Sequence, residues 1–330
     1  MKKSLIALAV MAASGASFAQ STVTVYGIAD LWLGSLKASK TTGDAKGTTV
    51  MESGGVSTSR WGLMGTEDLG GGLKAIFKFE QGIAMDTGAA AGFNRQSYVG
   101  FAGNFGQVTL GNTWTAFDDV IGASNSGFDS GLSATQGVWM TNQLYASNPG
   151  NTIKFTSANY SGVSFGASYS LDEASGVSTD IMDFSVSYAG GPIAVNFAYQ
   201  VQNDTVDRKF TTLNGSYDLG MAKILASYGQ VKEGSAKANE YQIGVDVPVS
   251  SALTLSAGYA HSKRNADAEV SLATEYYMGR KNSGFGLAAA YSLSKRTTLY
   301  GGFSMASGEN SAGVDTSKRD LFAAGVKHTF

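Results

Sequence analysis

The chain has 330 residues, with 24 basic and 26 acidic side chains, 43 glycines, 3 prolines and no cysteine. A balance this close to neutral leaves no electrostatic footprint for nucleic acid. Without cysteine, and with only His261 and His328 as histidines, the sequence offers neither a thiolate site nor a histidine-based metal cluster.

In chain order the first element is a leader. Lys2 and Lys3 precede an apolar run from Leu5 to Ala13, and Ser14, Gly15, Ala16, Ser17 and Ala19 supply small residues behind it. This arrangement predicts a secretory signal peptide over residues 1–19, cut after Ala19. The apolar run is well short of the ~20 residues that a spanning helix needs. Cleavage there removes two of the 24 basic side chains and none of the 26 acidic ones, so the exported chain is more acidic. Residues 20–330 are read as one domain.

That domain alternates from its start to its last residue. Val163, Phe165, Ala167, Tyr169 and Leu171 share one face, and Ser164, Gly166, Ser168 and Ser170 share the other. Ile193, Val195, Phe197, Tyr199 and Val201 repeat the pattern, as do Tyr241, Ile243, Val245 and Val247. Successive side chains of a strand point to opposite sides, so each segment is a strand with one apolar and one small or polar face. Strands are expected near 23–34, 57–65, 73–81, 95–103, 106–114, 151–160, 163–171 and 181–189, then near 193–202, 209–218, 221–231, 240–249, 252–261, 284–292, 297–306 and 321–330.

The connections alternate in length. Short ones carry turn residues, among them Asp68-Leu69-Gly70-Gly71, Gly103-Asn104-Phe105-Gly106 and Asp218-Leu219-Gly220. Long ones fall at 35–56, 82–94, 115–150, 172–180, 203–208, 232–239, 262–283 and 307–320. A soluble sandwich would bury its apolar faces against a second sheet. Export, regular segments of ~10 residues and small inward residues favour a transmembrane barrel, with apolar side chains toward lipid. An open sheet cannot cross a bilayer, because its edge groups would go unpaired. The expected fold is all-β: a 16-stranded antiparallel transmembrane β-barrel, wide enough to hold an aqueous channel.

Several blocks resemble Gram-negative general porins of the neisserial and β-proteobacterial type. They are Val23–Gly27, Ser59–Ala75, Arg95–Phe101, Phe105–Gly111, Leu293–Thr297 and Gly325–Phe330. The resemblance implies a homotrimer in outer-membrane lipid, open to ions and small hydrophilic solutes. It also implies a long third loop folded into the lumen and a terminal Phe330 read as an assembly signal by the outer-membrane insertion machinery. The longest expected loop, 115–150, is the third.

A pore needs a narrow place where charges focus a field, not a catalytic constellation. Between Arg95 and Lys154 there is no basic residue, while Asp118, Asp119 and Asp129 lie in that span, so the third loop is acidic. Parity puts Arg60, Lys74, Lys78 and Lys154 on the polar face, with Lys223 and Lys327 and the acids Glu80, Asp183, Glu240 and Asp246. Arg95 shares parity with Val99 and Phe101, which points it outward, whereas the resemblance places it in the pore. The candidate constriction is therefore a basic wall of Arg60, Lys74, Lys78, Arg95 and Lys154 facing an acidic loop of Asp118, Asp119 and Asp129. No enzyme site, cofactor or metal is expected. The competing readings are a channel selective for an anionic substrate and an exported soluble β-protein.

Overall fold

The computed structural model describes residues 22–39, 47–173, 179–265 and 279–330. The expected leader, 1–19, lies outside the described residues, as do parts of the first, fourth and seventh long loops.

Sixteen antiparallel strands close into a barrel. They are β1 (Thr22–Ser39), β2 (Thr48–Ser53 and Arg60–Gly70), β3 (Leu73–Ala84), β4 (Gln96–Gly103), β5 (Gly106–Asn112), β6 (Thr152–Ser157), β7 (Val163–Ser170) and β8 (Ile181–Gly190). They continue as β9 (Ile193–Gln202), β10 (Arg208–Asp218), β11 (Lys223–Glu233), β12 (Ala236–Pro248), β13 (Leu253–Arg264), β14 (Lys281–Ser292), β15 (Thr297–Glu309) and β16 (Asp315–Thr329). Each strand pairs with the next. The ring closes where β1 meets β16, in a register running from Ile28 opposite Thr329 to Ser39 opposite Lys318. Gly27 and Phe330 finish that seam by exchanging both backbone hydrogen bonds at 3.1 Å. Among the described residues closure leaves no strand edge unpaired, which is what hydrocarbon demands of a sheet.

Alternation along each strand sorts the side chains. On β7, Val163, Phe165 and Tyr169 are 40%, 45% and 39% exposed, while Ser168 and Ser170 are buried. A soluble protein would not leave such a row of large apolar groups uncovered, but a barrel in lipid does. The short turns follow their sequence chemistry. Gly70, Gly71 and Gly72 take φ of +85°, +63° and +83°, and the Gly70 N–H donates to the Asp68 carboxylate at 2.9 Å.

Several strands run further at the long-loop end than alternation indicated. β1 continues to Ser39, β2 gains the piece Thr48–Ser53, and β16 begins at Asp315. The loop expected at 232–239 shrinks to a turn at Gly234-Ser235 between β11 and β12. These extensions carry Lys232, Glu233, Lys237 and Lys318, so the apolar face that marks a strand inside lipid is missing there. At the other end, β6 stops at Ser157, short of the expected 160.

Candidate functional site

Four consecutive strands bring one charged cluster together. Glu80 on β3 is almost buried, with its side chain 3% exposed, and three cations converge on it. Arg95 Nε donates to Glu80 Oε1 at 2.8 Å, while Arg60 Nε and Lys78 Nζ each lie 3.5 Å from Oε2. Register explains the meeting: Arg60 stands opposite Gly82, and Lys78 and Glu80 are two apart on the same face. The Tyr26 hydroxyl on β1 donates to Glu80 at 2.8 Å.

Arg95 is where parity misled. It sits just before β4, outside the ladder, with its N–H donating to the Glu80 carbonyl at 3.2 Å. Freed from alternation, its side chain turns back to Glu80, and the guanidinium lies 4.8 Å from the Trp114 ring. A planar guanidinium stacks well on an indole face, which holds it flat. Asn148 donates to the Asn94 and Arg95 carbonyls at 2.9 Å and fixes the backbone there. The cluster thus sets three cations against one carboxylate.

Lys154 on β6 stands apart from that group. Its ammonium is 2.6 Å from Asp119, and its side chain is 7% exposed. Asp119 begins the third loop with Asp118 in the short helix α1 (Asp118–Ile121). The Tyr145 hydroxyl donates to Asp118 at 2.6 Å, and Asn125 donates to Asp129 at 2.7 Å. Loss of solvation pushes the Asp118 carboxyl up to about 6; the Tyr145 hydrogen bond opposes this, and the neighbouring Asp119 charge adds to it. Burial raises Asp129 too, against the Asn125 hydrogen bond. Lys74 lies six residues from Glu80 on the same face, about 20 Å along the strand, close to the turn at Gly70. The basic wall therefore divides into a cluster (Arg60, Lys78, Arg95), a pair (Lys154) and an outlying residue (Lys74).

The third loop is tied to buried-face side chains of strands from β7 to β15. Phe117 N–H donates to Asp183 at 3.0 Å, Ala116 N–H to Ser168 at 3.2 Å, and Ser126 N–H to Gln242 at 3.0 Å. Gly127 N–H donates to Ser256 at 2.7 Å, and Asn214 donates to the Val120 carbonyl at 2.8 Å. Both oxygens of the fully buried Glu240 are taken: the Met140 and Thr141 N–H groups, at the start of α2 (Thr141–Leu144), donate to them, as do the Thr141 and Ser262 hydroxyls. Apolar contacts follow the same route, with Phe117, Val120, Ile121 and Met140 packed on Ala198, Phe210, Val231 and Ala236. Glycine makes room for this. A Cβ on Gly258 would fall 2.0 Å from Ser126 Oγ, and one on Gly286 would fall 2.3 Å from the Leu132 carbonyl.

A family model described as Gram-negative porin matches residues 5–311. The chain belongs to the Gram-negative porin family. Outer membrane porin protein 32 of Delftia acidovorans is 34% identical, with 99% of this chain and 95% of that protein covered. The neisserial major outer membrane protein P.IB of Neisseria lactamica is 28% identical over 69% of this chain and 67% of its own length. Among solved structures, an anion-selective porin from Comamonas acidovorans matches with a TM-score of 0.79 at 26% identity, over 94% of this chain and 100% of that one. OmpT of Vibrio cholerae, in a trimer form, matches with a TM-score of 0.70 at 18% identity, over 94% of this chain and 99% of its own, a likeness of fold alone.

Other residues of this porin matter in ways its sequence did not announce. Asp183 and Glu240, counted above as charges of the wall, accept N–H groups of the third loop and present no free carboxylate. Asp30, also fully buried, accepts the N–H groups of Gly55, Val56 and Ser57 at 2.8–3.1 Å, pinning the break between the two pieces of β2. A charged residue on a buried strand face was the only available signal for all three. Phe330, 54% exposed, lies with Phe322 and Val326 on the apolar outer face of β16.

Proposed function

We propose that the protein forms a passive, water-filled pore for ions and small hydrophilic solutes in the outer membrane, works as a homotrimer, and favours anions. In this reading residues 1–19 are a cleaved leader, the third loop lies inside the barrel as a constriction, and Phe330 is an assembly signal. The observation that carries it is the net positive charge of Arg60, Lys78 and Arg95 around Glu80, on the polar face of a closed barrel. The hydrogen bonds of the third loop to Asp183, Gln242, Ser256 and Glu240 support its place inside. The anion-selective porin of similar structure agrees with the sign. Charges within a Debye length of about 8 Å act on a passing ion, so position outweighs the overall acidic sum.

The test is a planar-bilayer recording of the trimer across a potassium chloride gradient. The expected reversal potential favours chloride, and one favouring potassium rejects the anion reading. Current that saturates with one organic anion and not with chloride would mark a substrate-specific channel instead. An unheated sample in mild detergent should have three times the monomer mass by light scattering.

A further inference from the structure

We infer that Glu80 is the residue that lets anions leave: it holds the pull of the Arg60–Lys78–Arg95 cluster low enough for passage instead of capture. This rests on the anion reading above. A channel must attract its ion enough to admit it and release it fast enough to conduct. Three cations on one wall, two of them guanidiniums with several donors each, would make a strong anion trap if nothing offset them.

The geometry places the offset where it acts on all three. Glu80 touches Arg95 at 2.8 Å and Arg60 and Lys78 at 3.5 Å each. Its own side chain is 3% exposed, whereas those of Arg60, Lys78 and Arg95 are 24%, 21% and 15% exposed. A passing anion therefore meets the cations and not the carboxylate, while still feeling the carboxylate's field. Glu80 also occupies the Arg95 Nε donor and lies against one side of each other cation, which leaves the cluster unable to close around an ion. The Tyr26 hydroxyl at 2.8 Å keeps the carboxylate in place. Glu80 is thus a positioning residue that acts through the cations.

The experiment compares single-channel conductance of the native trimer and Glu80→Gln over a wide range of potassium chloride concentration. Gln keeps the size of the side chain and an acceptor for Tyr26 and Arg95 but removes the charge. Native conductance should rise nearly in proportion to salt. The E80Q conductance should saturate, with a chloride concentration at half saturation roughly tenfold lower than any seen in the native channel, as expected for one unit charge a few ångströms from the ion in partly aqueous surroundings. Glu80→Asp, which keeps the charge, should restore the proportional rise. Proportional conductance in E80Q overturns the inference even where the channel remains anion-selective; a native channel that prefers potassium overturns the reading beneath it. If E80Q does not assemble, Arg60→Gln and the double variant R60Q/E80Q ask the same question. The double variant must hold chloride more tightly than the single one, and equal half-saturation in the two overturns the inference.

Discussion

The two charged sites on the barrel wall use the same residue types and reach opposite balances. Around Glu80 one buried carboxylate serves Arg60, Lys78 and Arg95. At the start of the third loop Asp119 serves Lys154 alone, at 2.6 Å. The first site keeps a positive excess; the second cancels within itself. Two adjacent strands in register carry Arg60, Lys78 and Glu80, and Arg95 is tied to Glu80 just before β4, so the charges of the first site are fixed to the wall. The second joins a wall residue to a loop residue, so its balance lasts only as long as the loop stays where it is. Counting luminal charges misses this difference, because a cation opposite its own partner adds little to the field an ion meets.

The largest expected effect comes from reversing the first site. Arg60→Glu with Lys78→Glu leaves Arg95 facing three carboxylates. The reversal potential across a salt gradient should then pass from chloride preference to potassium preference. An unchanged potential would show that the selective charges lie elsewhere.

Next comes the loop on which the second site depends. Glu240→Ala strands the Met140 and Thr141 N–H groups and the Thr141 and Ser262 hydroxyls, at about 1–3 kcal/mol for each donor left buried and unpaired. Protease cleavage within 115–150 in the folded channel should speed up, and single-channel current should become noisier, while barrel assembly persists. Cleavage at the native rate would mean that Glu240 does not hold the loop.

This dependence also explains what could be seen in the sequence. The barrel was legible because lipid imposes one rule on every strand: Val163, Phe165 and Tyr169 must face out, and Ser168 and Ser170 in. The rule lapses where lipid does, which is why the outer ends of β1, β2, β11, β12 and β16 escaped it. The members of the Glu80 cluster on strands, Arg60 and Lys78, followed from parity alone. Parity misplaced Arg95, since alternation has no hold on a residue outside the paired register. The anchoring of the third loop was hidden because alternation assigns Glu240 and Asp183 to a face but carries no information on what meets them there. Partners such as Glu240 with Thr141 are set by tertiary packing.

A smaller shift should follow from unpairing the second site. Asp119→Asn removes the carboxylate in contact with Lys154 and leaves only the more distant Asp118 and Asp183 to offset that ammonium, so chloride preference should rise modestly. The change should be well below that of the R60E/K78E reversal, since only one charge is altered. An effect of equal size would mean that Lys154, and not the Glu80 cluster, dominates the field.

The smallest effect is a pH dependence from Asp118. Its carboxyl is pushed up to about 6 by loss of solvation, with Asp119 repelling it and Tyr145 and Lys154 favouring its charge. Because the folded state raises this group from 3.8, its ionisation disfavours folding. The stability it contributes is complete below the unfolded value and is lost as pH rises through about 6. In conduction the sign is equally definite: at pH 7.5 the loop carries the Asp118 charge, and by pH 5 it has largely lost it. Chloride preference should therefore increase as pH falls through this window, and Asp118→Asn should flatten most of the step. Burial raises the Asp129 carboxyl in the same direction. Measuring reversal potential between pH 5 and 7.5 decides the matter. A full step that survives in D118N would assign the titration to a group other than Asp118.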